Sequence, residues 1–551
     1  MPKINDRMLG QKQQSPYFYF VLALVLALPA FLTYLGLMPF IPDEAIRSLV
    51  SLEMTQTGNY LTPTLGGELY LKKPPLYNWI IVLFFQISGH KNEFVMRLPV
   101  IIFLLCYAFT IYHFVRKELG PRMGTLVALM FLTNGRVLFY ESEHGLIDIT
   151  FSWLMYLFFM LSYHYMKREK YLTLFLTAYG IAAISYLMKG LPSLVFLAIS
   201  LLVLFISEKK FRILFNWRHF AGIGLLILIV GLYYLAYFKR NALDPGSLFS
   251  SLLGETTRRT VIRFGWERTL THLFTFPLEM FYHFLPWTIL SFVLFVKGSF
   301  RKIRHHRFLW YNALLILFNI IVYWTSPEVH PRYILMLIPP FFTLLLYLYV
   351  DLKEQNNKLC LWIEYVLGAV LIVLTLGMVI PMFIDPAKQL PMIVLISISL
   401  LMTLAVITFS YWKQASERLF LVVIALLVLR IGFDLIVLPS RYYEAKEVRS
   451  REIARQLGRE TRGTPLYIWW NPGKTPDPYY GKRRTEYAFM FYISAERQEQ
   501  LRFSSEIDPE AFYIAREEDL EGYAVDTLRQ IAPPDHQGLL YLVAFREKKD
   551  R

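Results

Sequence analysis

Thirteen apolar runs constrain this chain more than anything else in it. They fall near residues 18–40, 94–115, 122–140, 147–166, 171–188, 190–207, 219–238, 276–296, 308–326, 332–350, 360–384, 389–411 and 419–438. An apolar run of about twenty residues matches the hydrocarbon core of a bilayer when it is helical. Lipid offers no partner for an open backbone, so helix is the form such runs take. The chain of 551 residues is 55% hydrophobic, against roughly 45–50% for soluble domains, and the excess lies in these runs. The expected class is an all-α polytopic membrane protein of about 13 transmembrane helices.

A further apolar stretch, 76–89, is short for a span and reads as an interfacial or re-entrant helix. Loop charge decides its place. If it does not cross, Arg116, Lys117 and Arg122, Lys167, Arg168 and Lys170, Lys209 to Arg218, Lys297 to Arg307, Lys353 and Lys358, and Lys413 and Arg418 all share a side with the basic N-terminus (Lys3, Arg7, Lys12). Basic loops favour the cytoplasm, so thirteen spans are expected, with the N-terminus cytoplasmic and an uncleaved signal anchor at 18–40. An odd number of spans puts the expected C-terminus on the outer side. The net charge of +15 sits mostly in these loops, where it suits anionic lipid headgroups rather than nucleic acid. Cys106 and Cys360 lie in or beside apolar runs and imply neither a disulfide framework nor a thiolate metal site.

Beyond residue 438 the apolar runs stop. The expected division is a membrane unit, 1–438, with outer loops at 41–93 and 239–275, and a periplasmic α/β unit, 439–551. In the latter, Glu444–Gly458 reads as a helix with Gly458 near its C-cap. Residues 465–470, 511–515 and 538–545 read as strands, and 487–494 as either form.

With this topology the polar outliers converge on the outer side. Asp43 and Glu44 follow the first span; a carboxylate there can act as general base or orient an acceptor, and it equally suits a helix N-terminus. Lys72 and Lys73 precede Pro74-Pro75, which opens a helix. An ammonium at Lys73 suits a phosphate headgroup, or simply snorkels to the interface. Asp148 opens a span and reads as a cavity-facing carboxylate or as a partner for a neighbouring helix. His330-Pro331-Arg332-Tyr333 begins another span; Arg332 suits bidentate phosphate binding, and an interface anchor is the plainer reading. Lys189-Gly190 is a weaker signal. Arg258, Arg259 and His272 lie on the fourth outer loop, which reads mostly as a solvated lid or acceptor surface. No Walker loop, dinucleotide glycine motif, zinc spacing or nucleophile elbow occurs. No cofactor is required by these residues, and a divalent metal would have to be held by scattered Asp, Glu and His.

Together these motifs resemble a known family. Asp43-Glu44 after the first span, the segment Gly67-Glu68-Leu69-Tyr70-Leu71-Lys72-Lys73-Pro74-Pro75-Leu76, Asp148, Lys189-Gly190 and Arg332-Tyr333 look like the bacterial branch of the protein O-mannosyltransferase superfamily. These are GT-C-fold glycosyltransferases that use polyprenyl-phosphate sugars, and the chain is most similar to the aminoarabinose transferases that modify lipid A. The resemblance implies Asp43 as the essential first-loop aspartate and Lys73 as a phosphate contact. It places Tyr333 near the carrier phosphate and Asp148 at the second acidic position. The implied partners are a polyprenyl-phosphate sugar donor, lipid A or another envelope acceptor, and membrane lipids. Lys72 stands where the aminoarabinose transferases carry glutamate before Lys-Pro-Pro, which leaves the sugar open. A protein hydroxyl acceptor is one alternative. A lipid transporter is another, disfavoured because the intramembrane charges cluster near one face and no matching halves are visible.

Overall fold

The computed structural model describes residues 16–241, 246, 261–471, 486–533 and 539–546. Each apolar run carries helix, and eight helices among the described residues are long and apolar enough to cross a membrane by length and composition. The elements that matter for the site are α1 (Pro16–Leu32), α2 (Pro42–Thr57), α3 (Leu76–Ser88), α4 (Glu93–Leu119), α5 (Pro121–Leu132), α6 (Asp148–Lys167), α7 (Tyr171–Lys189), α8 (Pro192–Ser207) and α9 (Trp217–Arg240).

Several runs are not the single helices expected, and two of these meet each other. After α5 the chain breaks at Thr133–Asn134, resumes as helix at Gly135 and becomes π-helical over Val137–Glu141. The run at 276–296 divides between the end of Val261–His283 and a 3-10 stretch, Trp287–Phe295. The two breaks meet: Gly135 N donates to Leu285 O at 2.7 Å, and Trp287 Nε1 to Thr133 Oγ1 at 3.1 Å. The Gly135 amide, left without an intrahelical partner at one break, is thus satisfied by a carbonyl at the other.

α3 has 13 residues, too few to span. Tyr77, Asn78, Ile81 and Phe85 are buried while Leu83 and Ile87 are exposed, the division expected of a helix lying along an interface. Upstream, β1 (Thr64–Leu65) and β2 (Glu68–Leu69) form a two-residue hairpin. Its turn, Gly66-Gly67, has φ of 65° and 87°, which other residues adopt only with strain. The buried Glu53 carboxylate holds this hairpin, accepting from Thr64 Oγ1 (2.6 Å), Gly66 N (2.6 Å) and Gln500 Nε2 (2.7 Å).

Helical backbone continues past the end of the last apolar run to Glu444, and the C-terminal unit starts with the helix Lys446–Glu460. Gly458 lies inside that helix, not at its C-cap. A Cβ there would meet Glu496 Cβ and Ile493 O, each at 2.9 Å. The glycine therefore allows close packing on the helix Glu486–Arg497, which settles the stretch 487–494 as helix. The sheet has strand order β4-β3-β5-β7-β6. Three of its strands, β3 (Leu466–Trp469), β5 (Phe512–Arg516) and β7 (Leu540–Phe545), lie where expected. β4 (Arg502–Ser504) and β6 (Val525–Ile531) are additional. The unit is fastened to the bundle through Glu93, which accepts from Arg451 Nη1 (2.8 Å) and Tyr492 Oη (2.9 Å). Gln56 Nε2 donates to Ser494 O at 2.9 Å, and Phe503 N to Gly66 O at 3.0 Å.

Candidate active site

Antiparallel α6 and α7 bring Asp148, the first residue of one, to Lys189, the last of the other. An anion at a helix N-terminus and a cation at a C-terminus each suit the local dipole. Lys189 Nζ lies 2.5 Å from Asp148 Oδ1. Asp148 Oδ2 lies 3.3 Å from Arg332 Nε, and Arg332 Nη2 donates to Asp43 Oδ2 at 2.8 Å. Four charges distant in sequence therefore form one alternating chain, Asp43–Arg332–Asp148–Lys189. Tyr333 borders it, with Lys189 Nζ 4.6 Å from its ring centroid. Asp148 and Arg332 are nearly fully buried, whereas the Asp43 side chain is 39% exposed. Asp43 is thus the carboxylate of the pair that an incoming group can reach.

Lys73 faces this chain from the segment that leaves the hairpin. It makes no hydrogen bond or ion pair among the described residues. Burial, reinforced by the charges of Arg47 and Lys189, pushes its ammonium down to about 7, against the pull of Asp148 and Asp43. Lys72 is partly buried in the same segment.

Arg47, one helical turn after Asp43, belongs to the site and carried no sequence signal beyond that spacing. It is buried, with Nη1 3.2 Å from Asn78 Oδ1 and its guanidinium 5.7 Å from the Tyr70 ring centroid. The two carboxylates therefore face three cations, with Arg47 a fourth. That surplus suits an anion that takes its place among them. Glu141, paired with Arg136 at 2.7 Å, lies close behind; burial pushes its carboxyl up to about 7.

Glu44, grouped with Asp43 as catalytic from the sequence, has a different place. It is fully buried and forms a fork with Arg97, at 2.8 and 2.9 Å. It also accepts from Ile41 N at 3.0 Å and Gly145 N at 2.6 Å. Burial opposes its charge, but the guanidinium prevails and holds the carboxyl below the usual carboxylate range. Its oxygens are committed to the fold, so Glu44 is a structural anchor. His272 is also set back: its Nε2 lies 3.4 Å from Tyr323 O, and the Tyr323 ring in turn packs 5.7 Å from Tyr333. Arg258 and Arg259 lie outside the described residues. Among the described residues no group of three or more His, Cys, Asp and Glu side chains is placed to hold a metal ion, and Asp43 and Asp148 already have cationic partners.

The fold is that of the GT-C glycosyltransferases. The structure of ArnT from Cupriavidus metallidurans bound to undecaprenyl phosphate superposes with a TM-score of 0.69 at 16% identity, covering 96% of this chain and 98% of that one. Its apo form gives 0.66 at the same identity and coverage. Residues 72–234, which include Lys73, Asp148 and Lys189, match the family described as dolichyl-phosphate-mannose-protein mannosyltransferase. An uncharacterized protein of Aquifex aeolicus is 23% identical over 296 residues, 53% of this chain and 57% of that protein. The undecaprenyl phosphate-alpha-4-amino-4-deoxy-L-arabinose arabinosyl transferase 2 of Proteus mirabilis is 30% identical over 130 residues, 23% of each chain. The chain thus aligns with little more than half the length of these curated relatives at most.

Proposed function

We propose that this protein is an integral-membrane glycosyltransferase that moves a sugar from undecaprenyl phosphate to a periplasmic acceptor, with inversion. The observation that carries this reading is the charge chain of Asp43, Arg332, Asp148 and Lys189, with Lys73 beside it and making no ion pair among the described residues. A cation surplus at one end of an apolar helix bundle suits a lipid-linked phosphate. The matched family and the ArnT structures, named for lipid-phosphate donors or bound to one, support it.

In the reaction the acceptor oxygen attacks the anomeric carbon as the bond from that carbon to the carrier phosphate breaks. The electron pair leaves on the phosphate oxygen. Lys73, Lys189 and Arg332 stabilise that developing charge, the kind of contribution that usually dominates such catalysis. With a hydroxyl acceptor, Asp43 takes the proton. With a phosphate acceptor no proton need move, and Asp43 orients the acceptor through Arg332.

The preferred donor sugar is 4-amino-4-deoxy-L-arabinose, as the name of the Proteus mirabilis relative suggests; the preferred acceptor is a lipid A phosphate, which rests on the resemblance of the Asp43-Glu44 and Lys73-Pro74-Pro75 motifs to the aminoarabinose transferases. The site then faces the periplasm from the inner membrane, with the N-terminus cytoplasmic and the C-terminal unit periplasmic. A second reading, transfer to protein Ser or Thr hydroxyls, is favoured by the description of the matched family. Purified protein given radiolabelled undecaprenyl-phosphate sugar, with lipid A or unfolded peptide as acceptor, separates the two. Lys73→Ala should lower transfer by about 10²–10³ while the protein stays folded; near-normal transfer would sink the phosphate role.

A further inference from the structure

We propose that the cavity between the C-terminal unit and the bundle is the acceptor site, and that its occupant is a phosphorylated glycolipid headgroup whose anion is held by Arg441. This rests on the reading above, in which Asp43 serves the acceptor. The cavity measures about 440 Å³, within the range of ligand pockets. Its walls come from the chain between α1 and α2, from the π-helical turn before α6, from the end of the last membrane helix and from the helices Lys446–Glu460 and Glu486–Arg497 of the C-terminal unit.

Three features assign it. The first is position. Ile41 and Pro42 line it, and the next residue is Asp43. Tyr140 also lines it and lies within electrostatic reach of both Arg332 and Asp43. None of the charge-chain residues lines the cavity itself; the cavity borders the chain at Asp43, and an occupant that extends past Ile41 and Pro42 meets that carboxylate.

The second is charge. Four arginines line the cavity, and three are neutralised: Arg97 by Glu44, Arg451 by Glu93, and Arg430 by Glu143 and Asp434. Arg441 forms no ion pair among the described residues; it is exposed, with its guanidinium 5.4 Å from the Phe433 ring centroid. A guanidinium without a carboxylate at a cavity mouth suits a phosphate.

The third is the apolar wall. Leu35, Met38, Phe40, Phe139 and Phe489 line the same space, which suits a group that carries hydrocarbon next to its charge.

The test is direct binding to the full-length protein in detergent, with a phosphorylated lipid A analogue, its dephosphorylated form and an unfolded Ser/Thr-rich peptide as probes. The phosphorylated analogue should bind about tenfold more tightly than the dephosphorylated one, the size expected of one charged hydrogen-bonding contact. Arg441→Glu should erase that preference, Arg441→Lys should keep part of it, and Glu447→Gln, on the same wall, should increase it. Undecaprenyl phosphate affinity should stay unchanged in all three. Equal binding of the two lipid A forms by the wild type, preference retained in Arg441→Glu, or tighter binding of the peptide would each overturn the proposal. Lys73→Ala should bind the phosphorylated analogue normally. A failure of the transfer assay is therefore distinguishable from a failure of this assignment.

Discussion

Arg332 contributes a different nitrogen to each of two carboxylates, Asp43 at 2.8 Å and Asp148 at 3.3 Å. A lysine has one nitrogen on a flexible stem and cannot hold both in fixed geometry. Arg332→Lys should therefore lower transfer by about 10² while the thermal melt barely moves. Lys73 gives the site a pH dependence. Its ammonium is pushed down to about 7, so the charged form is present below that pH and lost above it. Binding a phosphate restores the charge at the expense of affinity. Affinity for undecaprenyl phosphate should fall as pH rises through 7 and beyond, and Lys73→Arg should flatten the profile, read by titration at several pH values. Most of these residues were legible in the sequence, because charge beside apolar runs is conspicuous. Arg47 was not, since an arginine on an amphipathic helix looks like an ordinary solvated one. Nor could sequence divide Asp43 from Glu44. Adjacent positions on a helix point in different directions, and only the partner, Arg97, shows which carboxylate turns inward.

At the scale of elements, length and period located the helices well, and the short α3 was recognisable because 13 residues cannot cross. The breaks at Thr133–Asn134 and after His283 were hidden because the polar Thr133–Arg136 stretch and Pro286 are each flanked on both sides by apolar residues that read as one run; they are repaired by contacts between segments about 150 residues apart. β4 and β6 were missed for the opposite reason. Arg502–Ser504 and Val525–Ile531 are short or mostly polar, and they occupy the two edges of the sheet, where one apolar face is enough. Gly458 looked like a cap because glycine so often ends helices, whereas the helix opposite is what requires it. Gly458→Val should cost roughly 1–3 kcal/mol through overpacking, visible as a lower melting temperature of the C-terminal unit, with donor binding retained.

For the whole molecule, the join between membrane bundle and C-terminal unit depends on buried charge. Glu93 answers Arg451 and Tyr492 together, and removing one partner of such a pair costs about 3–5 kcal/mol. Glu93→Ala should leave the bundle helical by circular dichroism and make the C-terminal unit readily cleaved by protease. Cleavage at the wild-type rate would show that the apolar contact alone holds the two together. The hairpin tied to Glu53 adds something else. It runs directly into Lys73, while Gln500 and Phe503 of the C-terminal unit grip its other side. Coupling of that kind is reciprocal. A lipid phosphate that steadies Lys73 must slow the opening of strand β4, and hydrogen exchange at Phe503 would record the donor's arrival from outside the membrane.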